Sequence, residues 1–234
     1  YKFYNWTDAA GNVLSTDSTY TFTMGSEDVT INANFVKTEE AVLADVDDRI
    51  EDAIDDLKLD GTGISEITYA DKKATFRIED PTTNISAFAQ SGVIGLFQNM
   101  FTDVTNAVIT VNGKDYTIEN PAGMDESQLI SAVLNKLIIP LVGDEPTMKL
   151  ADLVGKSASA ELTISAGLVD YTATYTVEFV AEEYTVSVTA ENGTVNGAGT
   201  YAVGQSVTLE ATADEGYKFY NWTDAAGNVL STDS

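Results

Sequence analysis

The chain has no cysteine and no histidine, only four prolines and two tryptophans among its 234 residues, and only 12 lysines and arginines against 37 acidic residues. Each scarcity excludes something. Without cysteine there is no disulfide framework and no thiolate ligand, and without histidine no imidazole metal site, imidazole base or Ser-His or Cys-His nucleophile. A formal charge of -25, with no cationic cluster beyond Lys72 and Lys73, repels nucleic acid and anionic membrane surfaces. Nucleic-acid binding and membrane insertion are therefore not expected. What remains is ample apolar material: 44% hydrophobic residues, enough for packed cores in one large or two modest domains.

No run approaches the roughly 18 apolar residues of a membrane-spanning helix, and no basic start followed by an apolar stretch marks a signal peptide. The chain opens on Tyr1 rather than Met and reads as a segment of a longer protein.

Self-similarity organises the rest. Tyr1 to Ser18 reads YKFYNWTDAAGNVLSTDS, and Tyr217 to Ser234 repeats those letters without a substitution. A tandem array explains this simply: the chain takes one full period and overlaps into the next. In such an array, a segment like Thr19 to Val36 follows Ser234, and Tyr184 to Ser234 plus that segment forms one continuous module. Within it Val186 and Val188, Val207 and Leu209, and Val29, Ile31, Ala33 and Phe35 alternate with polar residues, as half-buried strands do. Asn192-Gly193 and Gly227-Asn228 suit tight turns. Phe3, Trp6, Phe219 and Trp222 are read as core anchors, since such rings bury 150 to 250 Å² each.

The spliced string resembles the divergent InlB B-repeat family. The residues that carry the resemblance are the strand Tyr184 to Thr189, the turn around Gly193 to Val195, Gly199-Thr200-Tyr201, Gly204 and the strand Ser206 to Thr212. The Glu215 to Phe219 and Trp222 to Asp224 segments and the closing Val29 to Phe35 complete it. The resemblance implies small all-β, β-grasp-like modules carried in tandem on bacterial surface proteins, with no common catalytic motif.

Between these ends the pattern changes, and the reading is α+β overall. Residues 1–36 are the C-terminal part of one repeat module, 37–181 a central α+β domain, and 182–234 the N-terminal part of the next module. Three helix-hairpin units are expected in the centre. The first helix runs about Thr38 to Lys58, capped by Thr38, with Glu39 and Glu40 in its first turn and Val42, Val46, Ile50, Ala53, Ile54 and Leu57 on one face. Its hairpin joins Ile64–Tyr69 to Ala74–Ile78 through Asp71-Lys72. The second helix, about Asn84 to Phe101, presents Ile85, Phe88, Ala89, Val93, Leu96, Phe97 and Met100. Gly92 and Gly95 within it point to close packing against a neighbour. Its hairpin turns at Asn112-Gly113 between Ala107–Val111 and Asp115–Ile118. The third helix opens at Asp125 with Gln128 as a capping box and presents Ile130, Val133, Leu134, Leu137, Ile138 and Leu141 before Pro140 disturbs its end. A short helix near Thr147–Val154 and a hairpin of Ala158–Ile164 with Tyr171–Phe179 follow. One six-stranded, mainly antiparallel sheet with helices on one face buries all three stripes; two smaller sheets are the alternative.

The densest charge is Asp45, Asp47, Asp48, Glu51, Asp52, Asp55 and Asp56, read as a solvated acidic face. Asp56 and Asp60 imitate the start of an EF-hand loop, but Lys58 and Ile67 stand where ligands belong, so they are at most a weak calcium candidate and no metal or other cofactor is expected. No carboxylate pair carries the marks of a catalytic site, so no enzymatic activity is expected. The lysines fall mostly at helix ends and turns, which disfavours internal Lys-Asn cross-links.

The expectation is a structural repeat in the stalk of a large, acidic, wall-attached adhesin of a Gram-positive cell. Its partners are neighbouring repeats. Each terminus holds half a module, so Thr19–Thr23 and Val29–Phe35 are expected to pair with the C-terminal segment, by head-to-tail association between chains. The alternative is a ligand-binding module whose central domain recognises a host or matrix component.

Overall fold

The computed structural model describes residues 1–85, 94–143 and 147–233. It mixes helices and strands in an α+β arrangement. At the N-terminus β1 (Lys2–Asp8), β2 (Val13–Ser15) and β3 (Ile31–Val36) form a three-stranded sheet in the order β2-β1-β3.

Helix α1 (Glu39–Asp55) begins where the sequence signals it. Thr38 is the N-cap, accepting from the Ala41 N–H, and Val42, Val46 and Ile50 are buried one turn apart. It leads into β4 (Ile64–Ala70) and β5 (Lys73–Ile78). Gly63, just before β4, has a φ of +78° and lies against the Leu150 and Thr83 side chains; a Cβ there would stand 2.7 Å from Leu150 Cδ1.

Of the second helix, α2 (Ile94–Phe101) is described, with Leu96, Phe97, Met100 and Phe101 buried. Phe88, Ala89, Gly92 and Val93 lie outside the described residues. Among the described residues a Cβ on Gly95 would meet nothing within 4 Å, so they supply no close packing at this glycine.

β6 (Val104–Val111) and β7 (Lys114–Glu119) turn through Asn112 and Gly113, both at positive φ. Asp125 then caps α3 (Glu126–Val133) with the reciprocal Gln128 bond. The helix continues as a π turn over Leu134–Ile138 and a last turn over Ile139–Val142. Pro140 accounts for this. It offers no N–H and its ring crowds the preceding turn, so widening that turn, with the Ile139 N–H donating to the Leu134 carbonyl, lets the helix run on. The buried residues are Leu129, Val133, Leu137, Ile138 and Leu141. Leu129 replaces the expected Ile130, and Leu134 is only half-buried, because the extra residue in the π turn shifts the stripe's phase. The short helix expected near Thr147 is a 3-10 turn, Leu150–Leu153.

β8 (Ser157–Ser165) and β9 (Asp170–Ala181) finish the centre. The six central strands form one sheet in the order β4-β5-β9-β8-β6-β7. All neighbours are antiparallel except β5 and β9, which run parallel from Lys73↔Thr176 to Ile78↔Ala181. The last hairpin is thus inserted between the first two. Irregularities at Ile64/Glu66 and Val104/Asn106 turn both Ile64 and Ile67, and both Val104 and Ala107, inward. One core joins the helices to the inner face, and Phe76 stacks on Phe179 at its centre with ring centroids 5.1 Å apart.

After β9 the chain is strand and turn only: β10 (Glu183–Val186) with β12 (Gly199–Ala202), β11 (Gly193–Asn196) with β13 (Glu210–Ala213), and β14 (Trp222–Thr223) with β15 (Val229–Ser231).

Candidate functional site

Asp56 caps the end of α1, its N–H donating to the Asp52 carbonyl at 3.1 Å, and Asp60 lies in the turn beyond; both are exposed. Among the described residues no group of three or more acidic side chains is placed to hold a metal ion.

The acidic run is not one uniform solvated face. Asp45 pairs with Lys37, and Arg49 reaches Asp103 at 3.1 Å. Asp47 turns inward, accepting from the Tyr69 hydroxyl at 2.5 Å and from Lys72 Nζ at 2.9 Å. Burial, then the bond to Asp47 and its charge, push the Tyr69 phenol well above the ordinary tyrosine value. Burial, and then the charge of Asp47, raise Tyr175 in the same way. Sequence periodicity put Asp47 with its neighbours on the solvated face of α1; the turn that carries Lys72 takes its carboxylate out of that face. These polar groups edge an apolar cavity of about 30 Å³ between the helices and the sheet, lined by Phe97, Met100, Val133, Leu137 and Val177 among others. That is room for a single water, far below the roughly 300 Å³ at which pockets for organic ligands begin.

The junctions between the central domain and its flanks are short and pinned. β3 runs into α1 through Lys37 and Thr38, with Val36 3% exposed. The Lys37 carbonyl accepts from the Tyr171 hydroxyl at 2.7 Å, and Lys2 lies over the Tyr171 ring. Tyr171 stands at the beginning of β9. At the other end of β9 a single residue, Glu182, separates Ala181 from β10. Its N–H donates to the Ile78 carbonyl at 2.7 Å, its carbonyl accepts from Val203, and its carboxylate takes the Ser65 hydroxyl and lies 3.7 Å from Arg77. Twelve residues of β9 separate the two junctions, about 35 Å at roughly 3.3 Å per residue.

The two identical eighteen-residue segments form the same hairpin. Trp6 pairs with Ser15 and Thr7 with Val13; Trp222 pairs with Ser231 and Thr223 with Val229. Asp8 and Asp224 each accept from a backbone N–H two residues on and from the side chain of Asn12 or Asn228, which holds both carboxyls below the ordinary range. Among the described residues, a third strand joins the N-terminal hairpin. β3 pairs along β1 from Lys2↔Val36 to Asp8↔Ile31, and Asn34 Nδ2 donates to Asn5 Oδ1 at 2.8 Å and to Thr7 Oγ1 at 3.1 Å.

Within the chain Ile31–Val36 pairs with β1, and Thr19–Thr23, expected as a strand, forms none. The four aromatic anchors are also not enclosed in a core. Phe3 and Trp6 are half-buried and pack on each other, with Phe35 edge-on to Phe3; Phe219 and Trp222 are half-buried and pack on each other beside β11 and β13. Phe35 is 58% exposed, because no second layer covers the apolar face of β3 among the described residues.

No curated protein and no solved structure matches the chain. The two ends, taken together, match the family model of the divergent InlB B-repeat domain, over residues 1–39 and 184–234.

Proposed function

We propose that the chain is a non-catalytic structural unit of a tandem array in the stalk of a large bacterial cell-surface protein, an adhesin, with B-repeat modules alternating with α+β domains. In this reading a C-terminal segment and the N-terminal segment of a neighbouring unit complete one β-grasp-like module. The observation that supports it most is the placement of the junctions at opposite ends of β9. Tension entering at Lys37 and leaving at Glu182 acts along β9, which is bonded on one side to β5 and on the other to β8. Those bonds are strained together in shear rather than opened one after another from an end. The charge of -25 keeps neighbouring stalks apart in solution.

Pulling the chain by its two ends in a force microscope tests this. The central domain is expected to unfold last, in one step, with a length gain matching residues 37–181 at about 3.5 Å per residue. Stepwise rupture of the centre at forces no higher than those of the termini would count against a tension-bearing role.

The alternative, a central domain that recognises a ligand, has weaker support. The groove where Tyr1, Phe35 and Val36 meet the central domain has a volume of about 300 Å³, but Lys37, Asp45, Arg49 and Asp103 within it already pair with one another.

A further inference from the structure

We infer that Glu182 is a positioning residue that locks the β10–β12 pair to the central domain, so that the two turn as one rigid body. The inference deepens the tandem-array reading, on which it rests, by giving the exit joint of each unit a fixed direction. Relative motion is the ordinary expectation for domains that share a modest contact. Here the connection is one residue long, and the N–H, the carbonyl and the carboxylate of that residue are each bonded.

Two ladders meet at Glu182. Its N–H donates to the Ile78 carbonyl at 2.7 Å, one step beyond the last β5–β9 pair, Ile78↔Ala181. Its carbonyl accepts from the Val203 N–H at 2.7 Å, one step before the first β10–β12 pair, Glu183↔Ala202. Pairing thus passes from β5 to β12 with no unpaired residue between them. The side chain adds a second hold. The irregularity between Ile64 and Glu66 takes Ser65 out of the β4–β5 register, and its hydroxyl donates to Glu182 Oε2 at 2.6 Å. Arg77 Nε stands 3.7 Å from the same oxygen and 3.4 Å from Glu66 Oε2. A Cβ on Gly204 would lie 3.3 Å from Pro81 Cγ, so the chain leaving β12 abuts the chain leaving β5. Bending the joint away from β4 and β5 therefore breaks backbone bonds and a charge-assisted bond together. Stiffness matters to a stalk: the reach of rigidly joined units grows with their number, whereas that of freely jointed ones grows with its square root.

Residual dipolar couplings of the ¹⁵N,¹³C-labelled full chain test this, because they average over hinge motions up to milliseconds. One alignment tensor should fit the N–H and Cα–Hα couplings of β5, β8 and β9 together with those of β10 and β12. A Gly-Ser-Gly insertion between Glu182 and Glu183 should split that fit, the β10–β12 couplings shrinking about twofold or more while the central strands keep theirs. Glu182→Ala keeps the backbone bonds and should shrink them less, and Glu182→Gln, whose amide oxygen still accepts from Ser65, should restore most of the common fit. The melting temperature of the central domain reports separately that each variant is folded. Two tensors in the native chain, or an unchanged common tensor in Glu182→Ala, would overturn the inference. Either result removes the rigid joint alone, because the force experiment reads the strength of the central domain independently of how its neighbour is oriented.

Discussion

Tyr1–Ser18 and Tyr217–Ser234 are one sequence in two settings, and they share a hairpin but not a sheet. The hairpin is written locally. The Asp-Asn turn, the indole bond to a carbonyl eleven residues on and the two-pair ladder recur with distances that agree within 0.2 Å. The strand is not. Tyr4 is 36% exposed beside β3, whereas its twin Tyr220 is 80% exposed. Strand identity in these eighteen residues is thus a property of the neighbour supplied, as expected when β structure rests on cross-strand packing more than intrinsic preference.

The comparison can be broken from the side of the central domain. β3 is anchored there through Val36 and Lys37, whereas among the described residues no hydrogen bond or ion pair ties the Tyr217–Asp233 hairpin to the central domain. Phe179, 2% exposed and stacked on Phe76, is the lever: Phe179→Ala should cost about 3–5 kcal/mol and lower the domain's melting temperature sharply. By NMR near the new midpoint, β1–β3 resonances should broaden with the centre while the Tyr217–Asp233 hairpin keeps its signals. Equal loss at both ends would show that the two settings do not differ in anchorage.

A smaller change sharpens the comparison at its source. Asn5 is 7% exposed, and Asn34→Ala removes the donor to its side-chain oxygen, a loss of about 1–3 kcal/mol for a buried acceptor left unpaired. Exchange at Lys2–Asp8 should quicken toward the rate at Lys218–Asp224, which should itself stay unchanged. An unaltered N-terminal rate would mean that the strand is held by its backbone alone.

Alkaline titration separates the centre from the C-terminal hairpin by chemistry. Tyr69 and Tyr175 stay protonated in the folded domain at pH values where the unfolded chain ionises. The folded state then holds more protons than the unfolded one, so stability is full below the ordinary tyrosine value of 10.0 and falls as pH climbs past it. Denaturant midpoints from pH 8 to 11 should decline above 10, and Tyr69→Phe should flatten the decline. A flat profile in the native chain would contradict the buried cluster. The smallest effect is expected from calcium: millimolar Ca²⁺ should raise the melting temperature little more than matched ionic strength does. A saturable shift of several degrees, abolished by Asp56→Asn with Asp60→Asn, would assign those residues a site.

Local signals in the sequence were legible where one element decides its own fate. Thr38 and the Val42-Val46-Ile50 stripe define α1, and Asp125 with Gln128 opens α3. What escaped depends on distant partners. The π turn arises because Pro140 must be accommodated inside a helix that packing keeps going. The parallel pairing of β5 with β9 joins segments about a hundred residues apart in sequence, which no local period records. Asp47 looks like any other acid of its run until the Asp71-Lys72 turn brings Lys72 and Tyr69 to it. The repeat itself is plain in the sequence, but which of its two copies Ile31–Val36 pairs with inside the chain is not, since two identical segments give no sequence reason to prefer either; the short connection from β2 makes that choice.

Amide hydrogen exchange resolved residue by residue on the intact chain tests the central claim most directly. Phe3 and Asn5 pair with β3 and lie outside the β1–β2 ladder, so they and their twins Phe219 and Asn221 report the third strand alone. The account predicts that the N-terminal β1 amides at and around these positions exchange roughly tenfold or more slowly than their C-terminal twins, because they lie in the ladder with β3. Equal rates at the paired positions would mean that Ile31–Val36 does not set the two segments apart, and would contradict the account.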